Sequence, residues 1–282
     1  MLRDDFGILV LSHKRPDNPT YKTLMKCNYT GKLYFILDDL DESIPEYEKR
    51  YGKDHLLIFN KKEMAKKVDL MDNWEMWSID TYARNASFML AQSVGLHYFL
   101  LLDDDYDSFR YRFPQEHSVP VKKMDRVCEI YLDFFIKHKA LHTLCFCQGA
   151  DVSVVNEGIV KRKAMNALFC SVNRPITWVG HMNADVNAYT RYNQLGHIFI
   201  TFPHIQLNQE PTQTKGGSAG MYKEIGTYQK TFYSVIQCPS FVKVSTFTKG
   251  FRMSKFRLHH KIDFVNGCAL ILSSRYKKKV SK

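Results

Sequence analysis

Apolar runs of strand length recur through the first half of the chain, and each breaks off into polar residues. Phe6-Gly7-Ile8-Leu9-Val10-Leu11 runs into Ser12-His13-Lys14-Arg15-Pro16, Leu33–Leu37 runs into Asp38-Asp39, and a shorter run occupies 55–59. Short continuous apolar runs suit strands buried on both faces, and the helix-length gaps between them suit the crossovers of a parallel sheet. Tyr98–Leu102 is another such run, and it ends in three consecutive carboxylates, Asp103-Asp104-Asp105. Ligands of open α/β sheets collect beyond the carboxyl ends of the strands. Two carboxylates one residue apart at such an end can chelate a hard divalent cation, which in turn neutralises a diphosphate. The plainer alternative is a solvated acidic turn that stops the strand.

The pattern around this point supplies helices. Asp80 is a candidate N-cap for a helix through Val94, with Ala83, Ala86, Leu90 and Val94 on one stripe and Gly95 ending it. That helix carries Arg84 and Asn85 toward the acidic strand end, as phosphate or base contacts or as ordinary surface residues. Residues 121–139 read as an amphipathic helix, and Leu144–Cys147 starts a strand leading to Gly149-Ala150-Asp151. The segment 166–193 is dense in Asn, Arg and His and is interleaved with Trp178, Tyr189 and Tyr192. Such a mixture suits a site wall gripping a sugar or base, or an irregular surface. His197–Phe202 predicts a further strand ending at Pro203-His204. Beyond Gln209-Glu210-Pro211-Thr212, Lys215-Gly216-Gly217-Ser218-Ala219-Gly220 predicts an anion-binding loop or lid, with Lys215 adding charge to inward-turned amides. Its lysine precedes the glycines, so it is no P-loop, and a simple linker is the alternative.

Composition narrows the class. The chain has 282 residues, 45 % of them hydrophobic and 24 % charged, enough for one large α/β domain or two small ones. No apolar stretch approaches membrane-span length and MLRDDFG is acidic, so a cytoplasmic protein is expected. Seven cysteines without a C-x-x-C pair suggest free thiols rather than a zinc site. The absence of G-x-G-x-x-G after the first two strands argues against a dinucleotide-binding enzyme. The formal charge of +11 is localised: from Cys238 onward there are eleven Lys or Arg and one acid, Asp263. Basic residues there alternate with Phe241, Phe247, Phe251 and Phe256, which points to a polyanionic partner or to rings that pack on the body.

YARNASFMLAQSVGLHYFLLLDDDY resembles the nucleotide-sugar half of GT-A glycosyltransferases, in which an Arg-Asn helix precedes a strand ending in a D-x-D motif. The whole chain, especially KGGSAGMY, looks like the TET/JBP-associated glycosyltransferases, a family proposed to sugar-modify hydroxymethylated pyrimidines in DNA, notably in phages and kinetoplastids. The resemblance covers about residues 6–240. It implies a GT-A-like α/β fold, with a mostly parallel Rossmann-like sheet flanked by helices and an acceptor-side extension. It divides the chain into a nucleotide-sugar half (1–110), an acceptor half of the same domain (111–237) and a basic aromatic region (238–282). The implied donor is a UDP-sugar with Mn²⁺ or Mg²⁺ on Asp103 and Asp105, His204 as third ligand and His181 as its rival. Ser12, Arg15, Asp38 or Asp39 would lie against the nucleoside, with Arg84, Asp103 and Lys215 also on the donor. Ala184-Asp185 keeps half of the Glu-Asp pair that heads an acceptor-side helix in inverting members, which makes Asp185 the candidate base, followed by Asp151 and Glu210. The implied acceptor is double-stranded DNA carrying 5-hydroxymethylcytosine or 5-hydroxymethyluracil.

Three other classes compete. A GT-A enzyme acting on protein or glycan explains the core but leaves the basic tail without a purpose. A nucleotidyltransferase would need glycines between Leu9 and Arg15, where there are none. A non-catalytic DNA-binding protein leaves three aspartates at a sheet end unexplained.

Overall fold

The computed structural model describes residues 2–74, 77, 79–113, 118–148, 162–209, 219–247 and 257–268, with only the backbone described at 219–227, 247 and 257. The predicted run Phe6–Leu11 is β1, followed by α1 (Pro19–Lys26), β2 (Lys32–Asp38), α2 (Ile44–Tyr51), β3 (Leu56–Phe59), α3 (Lys61–Ala65), α4 (Thr81–Ser93) and β4 (Tyr98–Leu102). Then come β5 (Tyr106–Tyr111), β6 (Val119–Pro120), α5 (Met124–Lys137), β7 (Leu141–Gln148), β8 (Leu168–Ser171), α6 (Ala184–Gln194) and β9 (Ile198–Gln209). The last elements are α7 (Ala219–Gln237), β10 (Val242–Phe247), β11 (Arg257–Ile262) and α8 (Phe264–Gly267).

The first nine strands form one mixed sheet in the order β3-β2-β1-β4-β8-β7-β9-β5-β6. Parallel pairing, the Rossmann-like part, runs from β3 to β4 and returns between β7 and β9; the remaining pairings are antiparallel. Every residue of β1 is buried, because helices cover both faces. Leu9, Leu101 and Phe99 join Phe88 of α4 and Trp178 on one face. Ile8, Val10, Leu100 and Leu102 join Leu24 of α1 and Phe135 of α5 on the other. Each such side chain taken fully out of water contributes about 1.5–3 kcal/mol, so this alternation fixes the strand register.

Two local signals worked differently from expectation. Gly95 does end α4, in a left-handed conformation at φ 73°, but the Asp80 side chain makes no capping hydrogen bond and turns to Arg84 instead. Pro203-His204 does not end a strand: β9 continues to Gln209 through a register irregularity against β7 between Phe202 and Gln206. Proline lacks the N–H that a ladder requires, and an irregularity of this kind is where a strand tolerates it.

The link from β4 to β5 shapes the site. Four strand steps separate them in the sheet order, roughly 19 Å if the sheet were flat. Leu102 and Tyr106 are only four residues apart, a reach of at most about 14 Å. The sheet must therefore curl, and Asp103-Asp104-Asp105 occupy the corner on which it closes. Thr20 of α1 clamps that corner, donating to the Asp103 carbonyl (2.7 Å) and accepting from the Tyr106 N–H (3.0 Å).

Candidate active site

The three aspartates have three different environments. Asp103 is anchored on both oxygens: Oδ1 accepts from Arg84 Nη2 (2.9 Å), and Oδ2 accepts from Asn166 Nδ2 (3.0 Å) and the Tyr106 hydroxyl (3.3 Å). With two lone pairs on each oxygen, one site on Oδ1 is left. Asp104 ties down the loop after β1, accepting from Arg15 Nη1 (2.6 Å) and Ser12 Oγ (2.8 Å). Asp105 Oδ1 is buried and has no hydrogen-bond partner among the described residues. Burial, then the charges of Asp103 and Asp104, push the Asp105 carboxyl up to about 7, with Arg15 opposing. Burial also raises Asp103 against the pull of Arg84, and Asp104 against Arg15 and Ser12.

Arg84 links Asp80 to Asp103. Its side chain is only 6 % exposed, and it donates from Nε to Asp80 Oδ2 (2.5 Å) as well as to Asp103. Burial opposes its charge, but Asp103 and Asp80 more than offset this, so the guanidinium stays protonated. The neighbouring Asn85 fastens α4 to the next wall, donating to the carbonyls of Thr81 (2.8 Å) and Trp178 (2.9 Å).

Asp185 stands in the first turn of α6, at a helix head as the resemblance implied. Its Oδ1 accepts from the Val186 N–H (2.8 Å). Burial raises its carboxyl, Arg84 and Lys230 of α7 pull it down, and Asp80 pushes it up. Asp185 in turn raises Asp103. The two carboxylates thus share one electrostatic environment centred on Arg84. The loop leading into α6 is fixed by Gly180 at φ 94°, where an added Cβ would fall 2.8 Å from Asn187 Nδ2. The Gly180 carbonyl accepts from Thr81 Oγ1 (3.0 Å).

The structure brings Ser12, Arg15, Arg84, Asp103, Asp105 and Asp185 around this corner, but it uses Ser12 and Arg15 to hold Asp104. Asp38 lies beside it in a buried ion pair with Lys61 (3.1 Å) and 3.0 Å from His13 Nδ1. Burial opposes ionisation of Asp38, yet His13 and Lys61 hold it below the ordinary carboxylate range. Asp39 faces the start of α3, accepting from the Lys61 N–H (2.9 Å) and Asn60 Nδ2 (2.7 Å).

His204 is not part of the cluster. It is exposed in the middle of β9, where its carbonyl accepts from the Arg112 N–H (2.8 Å), and the site-facing end of that strand is Gln209, five residues on. His181 is buried and bonded through Nδ1 to Asp72 Oδ1 (2.6 Å), whose other oxygen takes the Tyr233 hydroxyl. Among the described residues no three His, Cys, Asp or Glu side chains are disposed to hold a metal ion, so the expected set of Asp103, Asp105 and His204 is not assembled. Lys215, Asp151 and Glu210 lie outside the described residues. Gln209 was missed, although it holds Asn166 Nδ2 at 2.9 Å beside Asp103; its position just before the Gly-rich loop was the available signal.

A Rossmann-like parallel half, a D-x-D corner at its carboxyl edge and a carboxylate at the head of a facing helix define a GT-A-type glycosyltransferase. The family model of TET-Associated Glycosyltransferases matches residues 6–218, and the chain belongs to that family. It is a nucleotide-sugar-dependent glycosyltransferase acting in DNA hydroxymethylpyrimidine modification. No curated protein matches the chain. Among solved structures, a mycobacterial protein superposes with a TM-score of 0.50 at 7 % identity, covering 91 % of this chain and 83 % of that one. The mannosyltransferase PcManGT from Pyrobaculum calidifontis, solved with GDP-Man and Mn²⁺, superposes with a TM-score of 0.47 at 12 % identity, covering 82 % of this chain and 64 % of that one. Among the described residues no helix is long and apolar enough to cross a membrane.

Proposed function

We propose that this chain transfers the sugar of a UDP-sugar to the hydroxymethyl oxygen of a modified pyrimidine in double-stranded DNA, with a divalent cation held chiefly by Asp105. The buried Oδ1 of Asp105, unpartnered among the described residues, carries this reading, because a buried polar atom without a partner calls for one. Mg²⁺ is commonly held by one or two carboxylates together with substrate phosphates. The single ligand offered by Asp105, joined by the remaining lone pair of Asp103 Oδ1, suits that arrangement without a third side chain. When bound there, the cation would neutralise charge on the diphosphate and make it a better leaving group.

The chain's own groups cover the rest. The loops bearing Ser12, Arg15 and Asp38 adjoin the same sheet edge and offer the nucleoside a wall. Asp185, raised by burial and close enough to Arg84 to feel its charge, accepts the proton of the acceptor hydroxyl. The hydroxyl oxygen forms a bond to the anomeric carbon as the bond from that carbon to the diphosphate oxygen breaks, and UDP leaves with the electron pair.

A cation must displace the proton from Asp105, so its affinity depends on pH. The apparent Kd for Mn²⁺, measured by calorimetry with UDP present, is expected to level off above pH 7. Below that it should weaken about ten-fold per pH unit, because one proton competes with one cation. Mn²⁺ binding that is flat from pH 5 to 8 would remove Asp105 from the cation site.

A further inference from the structure

The strands after α7 do not trail from the body. They form a two-stranded antiparallel ribbon, β10 on β11, beyond the part matched by the family model. Phe241 and Val242 are buried with Cys238, and Ile262 packs against them. Gly267 lies against the Phe241 ring, where a Cβ would find no room, and Phe264 stacks on Tyr189 of α6 at 6.1 Å. His260 of β11 reaches the head of α6, its Nδ1 lying 3.4 Å from Asn183 Nδ2, two residues before Asp185. The ribbon is therefore docked on the acceptor side of the site.

Its register has a feature that folding does not explain. Lys243 and Lys261 are directly paired across the two strands, and both are exposed. Side chains in that relation have Cβ atoms about 5 Å apart, and like charges so placed destabilise the pair. The acid nearest in the chain, Asp263, is occupied: it accepts from the Asn266 N–H (3.1 Å) and from Asn266 Nδ2 (2.7 Å), capping α8. The alternation of strand side chains puts Lys243 and Lys261 on the face opposite Val242, Ile262 and His260. Asp263 feels the charge of Lys243, but both its oxygens are spent on Asn266, and among the described residues no carboxylate forms an ion pair with either lysine of this face.

We infer that the Lys243–Lys261 face of the β10–β11 ribbon is a docking surface for the sugar–phosphate backbone of the acceptor duplex, bridging the two ammonium groups with phosphate. This rests on the reading of DNA as acceptor and adds which surface holds it. A two-stranded ribbon also fits the dimensions of a DNA groove. Lysine offers point charges rather than a paired base-reading fork, so the contact supplies affinity without sequence preference.

The test is fluorescence-anisotropy titration of hydroxymethylated duplex between 50 and 200 mM salt, using the full chain and Lys243→Gln/Lys261→Gln. Each phosphate contact contributes about 0.9 to the slope of log affinity against log salt, so the double variant should lose about 1.8. Across that salt range its affinity should fall roughly ten-fold less than the wild type's. Two observations on the variant report on its folding: unchanged UDP–Mn²⁺ affinity and a Tm no lower than wild type, since removing a like-charge pair relieves repulsion. An unchanged salt slope in a variant that passes both overturns the inference and leaves the DNA acceptor intact. A lower Tm overturns it as well, because the pair would then serve the fold. A wild type that glycosylates a free hydroxymethylated nucleoside yet shows no salt-dependent DNA affinity overturns the acceptor reading itself.

Discussion

Replacing Asp105 by Ala is expected to reduce turnover on hydroxymethylated DNA by roughly 10³-fold, the equivalent of several kcal/mol of charge stabilisation at the leaving diphosphate. The fold should persist. Among the described residues Asp105 Oδ1 has no hydrogen bond to lose, and a carboxyl pushed up to about 7 by burial and two acidic neighbours is a group the folded chain carries at a cost. A carboxyl whose folded pKa lies above its unfolded value costs stability progressively as pH rises from the unfolded value to the folded one. Without cation, the Asp105→Ala protein should therefore gain thermal stability over wild type on passing from pH 5 to pH 8. Added Mn²⁺ should raise the Tm of wild type alone. A variant that turns over normally, or one that Mn²⁺ still stabilises, would place the cation elsewhere. Asp104→Ala gives the contrasting pattern. It frees Arg15 and Ser12 and loosens the loop after β1, so its first effect is on donor affinity.

Asp185→Asn carries the second large effect. The amide keeps the shape of the carboxylate, yet it cannot take a proton, so turnover should fall by about 10²–10⁴-fold while UDP–Mn²⁺ affinity is retained. In wild type, kcat/KM should decline as pH falls through the Asp185 pKa, because the protonated carboxyl is no base. Burial raises that value, so the decline should lie above the ordinary carboxylate range. Arg84 and Lys230 both lower it, and Lys230→Met should move the acid limb to higher pH. Near-normal turnover in Asp185→Asn would remove it as the base and leave proton transfer to another group.

What the sequence disclosed and what it hid have separate physical causes. Strands buried on both faces announce themselves as continuous apolar runs, and β1, β2 and β4 were legible with their polar ends. The position of Asp103–Asp105 beyond β4 followed from that, whereas Asp185 at the head of a helix was implied by the family resemblance alone. The roles within the acidic corner were not legible, because they depend on which distant groups arrive. Ser12 and Arg15 come to Asp104 from about ninety residues away, and Asn166 comes to Asp103 from sixty-three, leaving Asp105 as the carboxylate with a bare oxygen. The four buried residues of β8 were hidden inside an Asn-rich stretch, too short a run to show a period. His204 was misplaced because Pro203 read as a stop, whereas β9 absorbs it at an irregularity and runs on. The basic tail announced its charge but not its pairing; only register sets Lys243 opposite Lys261.

The most direct measurement is mass spectrometry of nucleosides released from hydroxymethylated duplex DNA after incubation with the enzyme, Mn²⁺ and each of a panel of UDP-sugars. One donor is expected to convert the hydroxymethylpyrimidine to its glycoside, with unmodified cytosine and thymine untouched, and chelation of the cation or Asp105→Ala should remove the product. Sugar appearing on a protein or glycan acceptor in the same panel, with the DNA nucleosides unchanged, would contradict the assignment of DNA as acceptor.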